Sequence, residues 1–261
     1  MQPAPTTTSI ISTLLDWFER EGVEWPWRQT RDRWIILVSE VCLQQTQVAR
    51  AAPKIALLVE HYPTPKAMAD APLGDVLEHW QGLGYPRRAK NLWNAAQIIA
   101  TDGWPEKLRD LPGVGEYTEA ALQCFADELP VVPPDINTRR VATRLFPDGL
   151  PEHATEPRLS NDPWTWGQSI MELGQRICTA KAQCTACPVQ QLCPSAGTAD
   201  VIASPRQSTC HGSFRQRRGV VLRRLTRHGI ALVEDDREAA LSLVEDGLAG
   251  IDATGETLIR L

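Results

Sequence analysis

Leu111-Pro112-Gly113-Val114-Gly115-Glu116-Tyr117-Thr118 sits between two stretches of helical periodicity, residues 86–101 and 116–127. Proline stops the first helix, and the two glycines let the backbone turn tightly and come close to a ligand. The second helix starts near Glu116, so its unpaired amide groups point into the loop. Such a start binds a phosphate through N–H groups and the helix dipole. A nucleic-acid backbone held this way is positioned without its sequence being read. A G-x-G turn also serves as a plain connection between helices, so the rest of the chain has to decide between the two.

Outward from this loop, helical patterns dominate. Ile10, Ile11, Leu14, Leu15 and Phe18 recur at helical spacing behind Ser9 as expected N-cap, and further patterns cover about 32–47, 51–61, 64–70 and 72–81. Beyond Val131 a helix runs through Arg139 to Phe146, and another spans about 164–177. Proline-rich residues 147–163 and the Ser-, Thr-, Pro- and Gly-rich residues 195–213 read as loop and linker, and the first eight residues as a polar tail. The end of the chain is polarised. Seven arginines and no acidic residue lie between Arg206 and Leu232, then eight acidic residues and two arginines follow to Leu261. Helices at about 214–227 and 236–247 and a hairpin around Ala253-Thr254-Gly255 give a small winged-helix-like module; a charged helix packed on the body is the alternative.

Cys178, Cys184, Cys187 and Cys193 lie within sixteen residues, spaced C-x5-C-x2-C-x5-C. Four thiolates this close surround one metal centre, and sulfur ligands select zinc or an iron–sulfur cluster; spacing leaves both open. Cys42 and Cys124 fall singly in helical patterns and read as small buried hydrophobes. Cys210 stands apart, so the total of seven cysteines resolves into four ligands and three spare thiols. Two carboxylates stand out. Asp135, after Pro133-Pro134, is first of all an N-cap for the next helix. Glu40 interrupts the apolar run Ile35 to Leu43; if it faces inward, burial raises its pKa, which suits a general acid.

At 261 residues the chain builds a sizeable core, and 43% hydrophobic residues exclude collagen-like or wholly disordered classes. No run reaches the ~18 apolar residues of a membrane span, and the amino terminus lacks a signal peptide's pattern. A cytoplasmic protein is the expectation. The net charge of −5 averages a basic path and acidic surfaces.

Together these features resemble the helix-hairpin-helix DNA glycosylases that carry an iron–sulfur cluster, and within them the MutY-type adenine DNA glycosylases. The residues carrying the resemblance are Trp25-Pro26-Trp27-Arg28, the run Val38 to Val48 with its Leu-Gln-Gln-Thr-Gln-Val, Trp80 to Tyr85, Leu111 to Thr118, Asp135-Ile136-Asn137, Met171 to Gly174 and the four cysteines. They occur in the family's order over residues 9–195. The resemblance implies a mainly α, two-lobed fold. One lobe comprises residues 1–30 and 136–195 with a [4Fe-4S] cluster on Cys178, Cys184, Cys187 and Cys193; the other is a six-helix barrel over 31–135 with Gly113 and Gly115 in its hairpin. A linker, 196–212, leads to the module 213–261. It also implies excision of adenine opposite 8-oxoguanine or guanine in double-stranded DNA, by acid-assisted cleavage after base flipping. Glu40 matches the acid on the adenine ring and Asp135 the carboxylate that stabilises the sugar cation, a division of labour like that of a retaining glycosidase. Tyr117 and Asn137 match positioning residues. Tyr117 stands where strand-cleaving relatives carry a lysine, which implies a monofunctional enzyme. Trp27, Arg28, Leu43 and Glu172 match the adenine pocket; Gln45, Thr46, Leu83 and Tyr85 match residues that fill the gap and touch the opposite base. Arg87, Arg88, Lys90, Arg139, Arg140 and Arg144 are candidates for phosphate attraction.

The chain departs from the family pattern in a first cysteine gap one residue short, in Pro133-Pro134, and in a C-terminal segment too small for the Nudix-like domain that many members add. Two other readings remain: a related mismatch glycosylase for thymine or uracil, and a non-catalytic iron–sulfur DNA-binding protein. The presence of both Glu40 and Asp135 speaks against the second, since a binder needs neither.

Overall fold

The computed structural model describes residues 6–150, 162–198, 209 and 211–261. Most of the expected tail, of the loop 147–163 and of the linker 196–212 lies outside the described residues, as does Cys210. Two compact units emerge, one from Met1–Ile36 with Gly115–Arg206, the other from Leu37–Val114 with Gln207–Leu261. These limits and those drawn from sequence differ over residues 31–36 and 115–135.

In the first unit α1 (Thr7–Glu21), α8 (Ile136–Leu145) and α9 (Pro163–Arg176) surround one core, and α7 (Glu116–Phe125) packs on α9. Apolar residues at helical spacing on α1, from Ile10 to Phe18, pack with Val141 and Leu145 of α8 and Trp166, Ile170 and Leu173 of α9. The N-cap of α1 is Thr6 and not Ser9: the Thr6 hydroxyl accepts from the Ser9 amide at 3.2 Å, so the helix starts before the apolar pattern does. Helix α9 is buried along most of its length. It approaches α8 so closely that a Cβ on Gly174 meets the Asn137 Cβ at 2.8 Å and the Asn137 backbone at 2.9 Å.

Helix α2 (Arg33–Leu43) begins in the first unit and ends in the second, which continues with α3 (Val48–His61), α4 (Pro65–Ala69), α5 (Leu73–His79) and α6 (Arg87–Asp102). The pattern expected over 32–47 breaks at Leu43, because Gln44 to Gln47 form a turn with Gln45 at φ 52°. The C-terminal residues supply α10 (Phe214–His228), α11 (Arg237–Glu245) and three short strands, β1 (Ile230–Leu232), β2 (Gly250–Ile251) and β3 (Thr257–Ile259). They form an antiparallel sheet in the order β1-β3-β2, with Ala231 opposite Leu258 and Gly250 opposite Ile259. The turn expected at Ala253-Thr254-Gly255 joins β2 to β3, where the Asp252 carboxylate accepts from the Glu256 and Thr257 amides, each at 3.2 Å. Strand β1 was not foreseen: three residues after Gly229 carry too short a pattern to separate strand from loop. Within this unit the C-terminal residues are fastened to α5 and α6. Arg260 pairs with Asp75 at 2.5 Å and Glu78 at 2.9 Å, Lys90 donates to the Asp246 carbonyl at 2.7 Å, and the Gly74 amide donates to the Leu261 carbonyl at 2.6 Å.

Leu14 of α1 is fully buried in the core shared with α8 and α9. Leu14→Ala is expected to cost about 2–5 kcal/mol of stability. Urea unfolding measures this, and a loss under ~1 kcal/mol contradicts the packing described.

Candidate active site

In the first unit Asp135 caps α8. Its carboxylate accepts from the Thr138 amide at 2.6 Å and from the Asn137 Nδ2 at 2.8 Å. The expected cap is present: one oxygen satisfies the helix start and the other is held by a neighbour. Asn137 is in turn fixed, because its Oδ1 accepts from Arg140 Nη2 at 2.7 Å. Arg140 is only 4% exposed and also donates to the carbonyls of Gly174 (2.7 Å) and Cys178 (2.6 Å). Burial pushes its guanidinium below the usual arginine range, while nearby Cys178 and Asp135 act the other way. One turn on, buried Arg144 donates to the carbonyls of Thr179 (2.8 Å) and Ala180 (3.2 Å) and to Cys178 Sγ (3.4 Å). A continuous chain of donors and acceptors therefore runs from the Asp135 carboxylate to the cysteine loop. Arg140 and Arg144 were expected to attract phosphates; they are instead buried among carbonyls. Their positions beside Val141 and Leu145, on the inward face of α8, carried that signal.

Cys178, Cys184, Cys187 and Cys193 all line one cavity, walled also by Leu145, Leu173 and Ile177. Among the described residues no three Cys, His, Asp or Glu side chains come within reach of a single metal ion. The four thiols nonetheless share one cavity. Burial pushes the free Cys187 thiol up to about 11. Cys42 and Cys124 are buried as small hydrophobes, and burial pushes Cys42 up to about 12.

The third group in this unit is Trp27, Arg28 and Glu172. Trp25 and Trp27 stack at 5.1 Å and 8°. Glu172, 2% exposed, accepts from Arg28 (2.5 Å), Arg176 (2.7 Å) and the Val23 amide (2.9 Å), and Arg28 reaches back to the Val23 carbonyl at 2.7 Å. The carboxylate thus locks the segment that carries both tryptophans. Tyr117 stands half-buried in the first turn of α7, whose N-cap residue, Gly115, makes no side-chain cap bond.

In the second unit Glu40 is 6% exposed on α2, beside buried Val38, Ser39 and Val41. Half-buried Leu43 ends the same helix. Gly113 takes φ 82°, and a Cβ there meets Asn91 of α6 at 3.0 Å, so the hairpin needs glycine at that position on both counts. Gln45 and Thr46 sit on one loop, Leu83 and Tyr85 on another, and a single guanidinium joins the two. Arg88 donates to the carbonyls of Val41 (2.9 Å), Cys42 (3.4 Å) and Gln44 (2.5 Å) and to the Thr46 hydroxyl (3.3 Å) on one side. On the other it donates to the carbonyls of Leu83 (3.0 Å) and Gly84 (3.3 Å). Burial lowers its pKa as well. Arg88, too, is therefore an internal clamp and not a phosphate contact, and Arg87 pairs with Asp246 at 3.0 Å. Arg139 is exposed. Among the described residues the non-glycine positions with positive φ are Gln45, Tyr85 and Glu128, so both loops carry backbone strain at the residue picked out by sequence.

Residues 38–162 match the family of HhH-GPD superfamily base excision DNA repair proteins. The chain is 36% identical to an adenine DNA glycosylase of Mycolicibacterium smegmatis over 234 residues, covering 80% of this chain and 78% of that protein. It is 38% identical to an adenine DNA glycosylase of Mycobacterium tuberculosis, over 85% and 80% of the two chains. The chain belongs to the adenine DNA glycosylase family. The glycosylase fold is also that of solved structures, among them a thermostable thymine-DNA glycosylase (TM-score 0.61, 25% identity, 70% of this chain and 93% of that one). A trapped endonuclease III–DNA covalent intermediate shares the fold (TM-score 0.56, 23% identity, 72% and 93%). The protein is thus a base excision repair enzyme acting on DNA, and among its described residues no helix is long and apolar enough to cross a membrane.

Arg140→Met keeps the side chain's length and removes its donors, leaving Asn137 and two buried carbonyls without them. We expect a stability loss of about 3 kcal/mol together with slower base release. Arg139→Met, on the exposed side of the same helix, is expected to stay within ~0.5 kcal/mol in stability. Equal stabilities of the two variants in denaturant titrations count against the relay.

Proposed function

We propose that the protein excises adenine lying opposite 8-oxoguanine or guanine in double-stranded DNA and leaves an abasic site without cutting the strand. The observation that most supports this reading is the Asp135 carboxylate, held in one orientation by the Thr138 amide and the Asn137–Arg140 pair. A carboxylate so fixed is preorganised for positive charge developing on a sugar, which is where electrostatic catalysis is strongest. The target nucleotide is flipped out of the duplex to reach it. Glu40 donates a proton to a ring nitrogen of adenine, which turns the base into a neutral leaving group. The C1′–N bond then breaks with its electron pair going to the base. Asp135 stabilises the cation at C1′ or bonds to it transiently, and water adds there, losing a proton. Asn137 and Tyr117 keep these groups in place, and Tyr117 offers no amine for a Schiff base. Trp27, Arg28, Leu43 and Glu172 form the adenine pocket. Gln45, Thr46, Leu83 and Tyr85 fill the vacated space and meet the opposite base, while Gly113 and Gly115 hold a phosphate.

A [4Fe-4S] cluster on Cys178, Cys184, Cys187 and Cys193 completes this reading. The single cavity that all four cysteines line supports a centre held by four thiolates. When bound, the cluster cross-links residues 178–193; no chemical step passes through it. Residues 213–261 act as a winged-helix-like module, and the enzyme works as a monomer.

Duplexes carrying A:8-oxoguanine, A:G, T:G and U:G, incubated with the protein and analysed with and without alkali, test the activity. We expect adenine from the first two and strand breakage only after alkali. Release of thymine or uracil in its place supports the mismatch reading favoured by the thymine-DNA glycosylase likeness, and breakage without alkali overturns monofunctionality. Glu40→Gln and Asp135→Asn are each expected to slow single-turnover release at least ~100-fold; full turnover by either refutes its role. The purified protein is expected to be brown with about four irons per chain. Metal analysis returning a single zinc rules the cluster out.

A further inference from the structure

Tyr85 has φ 47°, a backbone conformation that a bulky L-residue keeps only when its surroundings enforce it. The carbonyl of the preceding Gly84 accepts from the Trp80 indole at 2.9 Å and from Arg88 at 3.3 Å. Those bonds secure the main chain. The ring is secured differently: Arg88 and Arg215 each place a guanidinium 5.6 Å from its centroid, and Arg215 Nη1 donates to the phenolic oxygen at 2.8 Å.

Arg215 arrives from α10, 130 residues further along the chain. The first turn of α10 is fixed at both ends of a reciprocal cap. The Ser213 hydroxyl accepts from the Gln216 amide at 3.3 Å, and the Gln216 side chain accepts from the Gly212 amide at 2.6 Å. Behind it Arg218 pairs with Asp246, which also takes Arg87 and, through its carbonyl, Lys90 of α6. Arg217 and Arg224 are engaged by Asp236 and Asp235 beyond β1. Arg215 reaches a tyrosine on the loop before α6.

We propose that Arg215 is a positioning residue that sets the preference for 8-oxoguanine over guanine, by holding the Tyr85 ring against the base opposite the adenine. The proposal rests on the reading of Tyr85 given above. The two bases differ by one carbonyl and one N–H, a difference that a loosely held ring cannot register and a fixed one can. Arg88 holds the loop's main chain and faces the ring, whereas Arg215 also bonds the phenolic oxygen. The C-terminal module thereby takes part in opposite-base recognition through Tyr85, without touching the reacting atoms.

Single-turnover adenine release from A:8-oxoguanine and A:G duplexes tests this on the full chain. In Arg215→Ala the ratio of the two rates is expected to fall roughly fivefold, the worth of one hydrogen bond. Arg215→Lys, which keeps a cation and a donor, is expected to restore part of it. Tyr85→Phe keeps the ring and removes the same bond from the other partner, so the double variant is expected to be no worse than the worse single one. A Tyr85→Ala variant with the wild-type ratio overturns the reading of Tyr85. If Tyr85→Ala lowers the ratio but Arg215→Ala leaves it intact, or slows both substrates equally, the reading stands and the proposal for Arg215 falls.

Discussion

Burying a guanidinium costs several kcal/mol unless its N–H groups find acceptors. This chain does so at Arg88, Arg140 and Arg144, and the acceptors are mostly main-chain carbonyls. Carbonyls at helix ends and in loops are the groups that secondary structure leaves unsatisfied. Each arginine therefore solves two problems at once, its own desolvation and the orphaned acceptors of the segment around it. Arg88 closes the end of α2 against the loop before α6. Arg140 and Arg144 close the end of α9 and the start of the cysteine loop against α8. Asn137, Thr46, Leu83 and the loops that bear Gln45 and Tyr85 are held by these groups.

The two units solve their positioning problems with different means. In the first, Asp135 is oriented through side chains, Asn137 and then Arg140, and the relay ends on cysteine-loop carbonyls. The tight contact at Gly174 makes that possible, since any larger residue pushes α9 off Asn137. In the second, two strained loops are held together at their backbones by Arg88.

Much of this was legible in the sequence. Helical periodicity gave the elements, the Pro-Gly-x-Gly loop its place before α7, and Asp135 its cap. The cysteine spacing gave a shared cavity but left its occupant undecided. Arg88, Arg140 and Arg144 were misread because charge is ordinarily a surface property; only their helical phase, alongside Val141 and Leu145, marked two of them as inward. Thr6 took the cap from Ser9 because polar residues extend a helix beyond its apolar stripe without leaving a periodic trace. Strand β1 and the meeting of Arg215 with Tyr85 depend on contacts between residues far apart in the chain, which no local pattern encodes.

Five of the six groups that accept from Arg88 are main-chain carbonyls. Such a clamp takes no notice of which side chains flank it. The loops bearing Gln45 and Tyr85 can exchange residues over evolutionary time while their spacing stays constant, provided the arginine and the glycine at 84 persist. Base preference can drift in this architecture without the scaffold having to be rebuilt.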